Sequence, residues 1–156
     1  MGEALHKRLQ QSRFEGPHHE ALLNLMVAAE HVRARIDAVC ATHGITEAQY
    51  NVLRILRGVS PDGYSRTEIT RRMLERAPDV TRLIDRLEVQ QLVERERSGH
   101  DRRLSITRIS RKGLDVLARM QPEVSAIHRE LAARISERDA RELSRICETL
   151  YGPDGP

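Results

Sequence analysis

Apolar residues recur every three or four positions along most of the chain, which is the spacing of one helix face. Over residues 18–42 they form a single stripe about six turns long, and His43-Gly44 follows as a stop signal. A second helix is predicted from Thr46 to Gly58, with apolar residues on more than one side, as in helices packed between others. The first stripe consists of Leu22, Leu25, Met26, Ala29, Val32, Ile36, Val39 and Cys40.

Two short helices are predicted next. Residues 65–68 (SRTE) have the form of a capping box, so a helix should run from there to about Leu74 and bury Ile69 and Met73. Pro78 suits the first turn of the following helix. The buried side of that helix would carry Val80, Leu83, Ile84 and Leu87, and its exposed side Thr81, Arg82, Asp85 and Arg86.

A hairpin is predicted after these helices. Residues 93–98 and 104–109 alternate with period two, as strands do, and the polar segment 99–103 (GHDRR) would form the tip between them. Two short helices followed by a hairpin with an arginine-bearing tip indicate a winged helix-turn-helix.

Two more helices are predicted at the C-terminal end. Ser110 should cap a long helix that Pro122 interrupts, and the last helix should start at Ser136. Both helices are expected to bury an apolar stripe. The stripes are Leu114, Leu117, Met120, Val124, Ile127, Leu131 and Ile135 in the first helix, and Leu143, Ile146, Cys147 and Leu150 in the second.

The predicted fold class is mainly α with a small β-hairpin wing, a winged helix-turn-helix core flanked by N- and C-terminal dimerisation helices. Dimerisation is expected because the helical stripes outside the core exceed what a winged helix of this size needs to cover itself. The predicted domains are a flexible N-terminal arm (1–16), an N-terminal dimerisation helix (17–45), a winged helix-turn-helix DNA-binding domain (46–112) and C-terminal dimerisation helices (113–152).

Positive charge is concentrated in the winged-helix segment. Residues 64–112 hold 13 basic and 8 acidic residues, a net charge of +5, whereas the rest of the chain has a net charge of −2. A polyanion is therefore the expected partner, and the order of the elements favours double-stranded DNA.

The exposed arginines of the predicted second short helix suit base recognition. Arg82 and Arg86 lie one turn apart, so both could reach the major groove together. The alternative is that they form ordinary surface pairs with acidic residues of the same helix. A wing arginine could enter the minor groove, with Asp101 orienting Arg103. The predicted DNA contacts are Arg66, Arg71, Arg72, Asp79, Thr81, Arg82, Asp85, Arg86, Asp101, Arg102 and Arg103.

The run VTRLIDRLEVQQLVERERSGHDRRLSITRISRKG resembles the recognition helix and wing of the multiple antibiotic resistance regulator (MarR) family. The resemblance extends from about His18 to Tyr151, and the D-x-R of Asp101 and Arg103 is its most specific mark. It implies an obligate homodimer, with the first and last helices interlocked, that binds a pseudo-palindromic operator. It also implies that a small molecule, such as a phenolic effector, or an oxidant releases the DNA.

Two functions follow as hypotheses. The first is a sequence-specific transcriptional regulator, acting as a repressor that such a signal releases. The second is a winged-helix adaptor or architectural protein that binds DNA without strong sequence preference. Neither is an enzyme, since no catalytic constellation and no phosphate-binding loop is present in the sequence. No cofactor is expected.

Histidine and cysteine residues invite further hypotheses. His18, His19 and His31 could line an effector crevice, although ordinary surface histidines are the simpler interpretation. No spacing supports a metal site. Cys40 and Cys147 could sense oxidants, but their positions on apolar stripes favour buried structural thiols. The sequence lacks an apolar run long enough to span a membrane and an apolar secretory segment, so a cytoplasmic location is expected.

Overall fold

The computed structural model describes residues 2–11, 13–74, 79–97 and 105–152. The chain divides into two compact units, residues 1–38 and 39–156. Its helices are α1 (Glu3–Leu9), α2 (Pro17–Thr42), α3 (Glu47–Val59), α4 (Arg66–Arg72), α5 (Val80–Val89), α6 (Arg111–Arg134) and α7 (Glu137–Tyr151). Its strands are β1 (Tyr64–Ser65), β2 (Val93–Arg97) and β3 (Ser105–Ile109).

The first unit contains α1 and most of α2. Leu5 of α1 is buried, and the His6 ring lies 4.4 Å from the Phe14 ring, measured between centroids. The prediction of a flexible arm over residues 1–16 is therefore wrong for Glu3–Leu9, which form a helix. A single buried leucine gives no periodic apolar signal, so the sequence pattern did not reveal α1.

The long helix predicted from residue 18 to Thr42 is confirmed as α2. Its apolar stripe is only partly covered, because Leu22 is 56% exposed and Met26 is 60% exposed, whereas Cys40 is fully buried. The chain turns after α2 at Gly44, whose φ of 72° lies in the left-handed region that glycine adopts readily.

Helices α3 to α5 begin with side-chain caps. Thr46 and Ser65 both form complete capping boxes, as the pattern at Ser65 predicts. Helix α4 ends at Arg72, so the prediction of a helix to about Leu74 is too long, and Met73 is only half-buried. Helix α5 begins at Val80 because Asp79 is its N-cap, whereas Pro78, which was predicted to lie in its first turn, is outside the described residues.

The sheet has three antiparallel strands in the order β1-β3-β2. The predicted hairpin strands are confirmed for residues 93–97 and 105–109, with Val93 opposite Ile109. The sequence pattern did not reveal β1, which pairs Tyr64 with Thr107. Any side chain at Gly63 would collide with the Thr107 carbonyl, so glycine permits this close approach.

The core of the second unit lies between α3, α4, α5, the sheet and the first half of α6. Helix α6 is capped by Ser110 and continues through Pro122, where an interruption is predicted. Among the described helices, none is both long and apolar enough to cross a membrane. The fully buried large apolar residues of this unit include Val52, Leu53, Leu56, Ile69, Leu87, Val93 and Met120.

Helix α7 departs from the prediction that its apolar stripe is buried. Leu143, Ile146 and Leu150 are 48%, 43% and 67% exposed, and Cys147 is half-buried. The stripe has the predicted helical spacing, but the described residues of this chain leave it largely exposed.

Candidate DNA interface

Helix α5 has one buried side and one exposed side. Val80, Ile84 and Leu87 are buried, and Leu83 is half-buried. The predicted exposed set, Thr81, Arg82, Asp85 and Arg86, lies in solvent. The helix therefore presents a polar outer face while its apolar side fixes it to the domain.

Arg82 is paired at the start of this helix. The Asp79 carboxylate accepts a hydrogen bond from the Arg82 backbone N–H at 3.0 Å, which caps α5. Its second oxygen lies 3.0 Å from Arg82 Nε. Because the Arg82 side chain is 79% exposed, this ion pair is weak and does not prevent Arg82 from contacting another molecule.

Asp85 and Glu88 are paired with the wing rather than with α5. Arg95 Nη2, on β2, donates to Asp85 Oδ1 at 2.5 Å and lies 3.3 Å from Glu88 Oε2. Among the described residues, the Arg86 side chain has no ion-pair partner. The surface pairs that the sequence offered as an alternative thus form for Arg82 but not for Arg86.

The three predicted arginines of α4 differ in their surroundings. Arg66 Nη1 donates to Thr81 Oγ1 at 3.2 Å, which links α4 to the start of α5. The Arg72 guanidinium lies 4.1 Å from the Tyr64 ring centroid, over the ring, and donates to the Glu68 carbonyl at 3.0 Å. Arg71 is exposed. Arg66 and Arg72 are therefore held by neighbouring elements.

The wing residues Asp101, Arg102 and Arg103 lie outside the described residues, and their predicted roles remain predictions. The strands that lead to them are described. An ion pair between Arg108 on β3 and Glu96 on β2 crosses these strands.

Arg95 is not among the residues predicted for the site from the sequence. Period-two alternation places Arg95 on the same side of β2 as Val93, which is buried. A charged residue at a core-facing strand position is the signal that could have identified it, because such a charge requires a partner.

The predicted effector residues all lie on α2. His18 and His31 are exposed, and the His19 ring meets the Phe14 ring edge-on, with the centroids 6.0 Å apart. His31 follows His19 by 12 residues, so the two lie roughly 18 Å apart along the helix axis. The helix does not bring these three histidines together within one chain.

The described residues contain no group of three His, Cys, Asp or Glu side chains that could hold a metal ion. Cys40 is fully buried, as predicted, whereas the predicted burial of Cys147 is not met within this chain, where Cys147 is half-buried because the stripe on α7 that contains it is exposed.

A helix pair whose second helix exposes two arginines, followed by antiparallel strands, defines a winged helix-turn-helix, a class of DNA-binding proteins. The chain matches the MarR family over residues 43–104. It is similar to a MarR transcription factor from Planctomyces limnophilus, with 32% identity, coverage of 88% of this chain and 99% of that one, and a TM-score of 0.68. This chain belongs to the MarR family of transcriptional regulators.

Two more distant structures share the fold. The S. aureus MepR–DNA complex is 19% identical, with coverage of 83% of this chain and 94% of that one and a TM-score of 0.72. CouR from Rhodococcus jostii RHA1, bound to p-coumaroyl-CoA, is 17% identical, with coverage of 90% and 97% and a TM-score of 0.75.

Proposed function

We propose that this MarR-family regulator is a repressor that binds, as a homodimer, a pseudo-palindromic operator in double-stranded DNA. The observation that carries the proposal is the outer face of α5, where Arg86 has no ion-pair partner among the described residues and Arg82 lies one turn away. On the second helix of a helix-turn-helix, such side chains are the ones that reach base edges.

The three elements would contact different parts of the duplex. Helix α5 would enter the major groove, where Arg82 and Arg86 can donate to guanine. Arg66, Arg71 and Arg72 on α4 would bind phosphates, which fixes the position of the protein on the duplex. The wing segment with Asp101, Arg102 and Arg103 would reach the minor groove, where A·T-rich DNA is most electronegative.

The homodimer is supported by uncovered apolar side chains. Leu143, Ile146 and Leu150 on α7 are at least 43% exposed, and an apolar stripe of this kind requires a partner. A symmetry mate is the commonest partner. Two copies of α5 would then lie about one DNA turn apart, matching half-sites separated by ~10 bp. A regulator that binds chromosomal DNA in this way would act in the cytoplasm.

Release by a small phenolic molecule is the second part of the proposal. Its support is that CouR, which shares the fold, was crystallised with p-coumaroyl-CoA. His18, His19 and His31 on α2 remain the candidate effector residues, and a site that used all three would need groups from elsewhere because of their spacing along the helix. An oxidant acting on Cys40 or Cys147 is the other candidate signal.

A gel-shift assay with the promoter region next to the protein's own gene tests the proposal. Selective nanomolar binding at moderate salt is expected, with a complex that random duplex of equal length does not displace. Uniform, salt-sensitive binding to any duplex would instead support the adaptor or architectural function. A thermal-shift screen with phenolic acids then tests for an effector, because a ligand that binds the native state raises its melting temperature.

A further inference from the structure

Arg95 connects the first wing strand to the outer side of α5. Its guanidinium holds two carboxylates of that helix, Asp85 at 2.5 Å and Glu88 at 3.3 Å. The Arg95 side chain is only 18% exposed, whereas those of Asp85 and Glu88 are 51% and 41% exposed. A largely buried cation therefore lies behind two carboxylates that face solvent.

The position of these carboxylates matters for DNA binding. Asp85 directly precedes Arg86 and shares the exposed side of α5 with it. Double-stranded DNA carries one negative charge per about 1.7 Å of its axis, so an uncompensated carboxylate on that side repels the duplex. This repulsion extends over about 10 Å at 0.1 M salt, which is comparable with the diameter of a helix, about 10–12 Å with its side chains.

We propose that Arg95 is a positioning residue that offsets one of the two negative charges of Asp85 and Glu88 and ties α5 to the wing, so that α5 meets DNA through its arginines. This inference rests on the function proposed above. It gives Asp85 a structural role in place of the predicted DNA contact. The rival interpretation is that Asp85 accepts a hydrogen bond from a cytosine amino group, in which case Arg95 merely orients it.

Three variants separate these interpretations: Arg95→Met, Asp85→Asn and the double variant. Methionine keeps an apolar stem in the buried site and removes the charge. Arg108→Met is the matched control. Like Arg95, Arg108 lies on a wing strand and is paired with a carboxylate, but its partner Glu96 lies on β2 and not on α5. Affinity for a selected operator duplex is measured by fluorescence anisotropy between about 0.05 and 0.3 M salt.

Arg95→Met is expected to weaken operator binding about tenfold at 0.1 M salt, and the loss should shrink as salt screens the repulsion. Adding Asp85→Asn should recover at least about half of this loss on a logarithmic scale, because it removes one of the two exposed charges. Asp85→Asn alone should bind at least as tightly as the unchanged protein. Arg108→Met should have a smaller effect than Arg95→Met.

The inference is overturned if the double variant binds no better than Arg95→Met while both show the circular dichroism of the folded protein. It is also overturned if Asp85→Asn alone weakens binding or changes the preferred base. That single variant decides the matter if Arg95→Met does not fold. If the unchanged protein shows no selective DNA binding, the proposed function fails and this inference falls with it.

Discussion

Arg82 and Arg86 lie one helical turn apart on the exposed side of α5, but their surroundings differ. Arg82 is paired with Asp79, and Arg86 has no ion-pair partner among the described residues. A guanidinium without a competing carboxylate can direct two parallel donors to the O6 and N7 acceptors of guanine. Arg86 is therefore expected to contribute more to base selection than Arg82.

Replacing Arg86 with alanine tests this expectation. Arg86→Ala should weaken operator binding by about 1–3 kcal/mol and relax the preference at one base pair. The control is Arg119→Ala, which removes an exposed arginine from α6. Competition binding with single-base operator variants gives both quantities. Equal weakening on operator and random DNA would mean that Arg86 binds only phosphate.

At the scale of elements, the start of α5 depends on Asp79. Its carboxylate caps the helix and also pairs with Arg82. Asparagine at this position keeps a capping oxygen without the charge, whereas alanine removes both. The two substitutions therefore separate the cap from the ion pair.

Asp79→Ala should lower the free energy of unfolding by about 1 kcal/mol, the usual value of an N-cap, while Asp79→Asn should cost less. Asp79→Asn should also bind DNA at least as well as the unchanged protein, since it releases Arg82 and removes a negative charge. Urea denaturation and operator titration measure the two effects. An asparagine variant as unstable as the alanine variant would contradict the role of the cap.

The elements that could be predicted from the sequence are those with local signals. The capping box at Ser65 and the alternation in β2 and β3 depend on neighbouring residues, so the sequence shows them. Strand β1 has only two residues and exists through pairing with β3, about 40 positions later in the chain, which no local pattern reveals. The two partners of Arg95, Asp85 and Glu88, were not predicted either, because they lie on a different element.

At the scale of the whole molecule, the sequence predicted which residues form the apolar stripes. It did not predict which of these residues are buried within one chain. Leu117 and Met120 on α6 are buried within the chain, whereas Leu143 and Leu150 on α7 are not. Periodicity identifies the face that must be covered and does not identify what covers it.

Placing a charge on the α7 stripe tests whether a second copy covers it. Leu143→Glu should shift the protein from dimer toward monomer, which has a mass near 17.8 kDa. It should also weaken operator binding, because a monomer contacts only one half-site. Ser144→Glu is the control, since Ser144 is next in sequence but about 100° around the helix. Sedimentation at micromolar concentration is the measurement. If the wild-type protein is already monomeric, the proposed dimer is contradicted.

The central claim is that two copies of α5 read two half-sites at a fixed separation. Affinity for an operator with about 5 bp inserted between its half-sites tests it most directly, because half a turn moves one half-site to the opposite side of the duplex. Binding is expected to fall to the level of random DNA after the central insertion, and to stay selective when the same number of base pairs is added outside the operator. Unchanged affinity after the central insertion would contradict the claim.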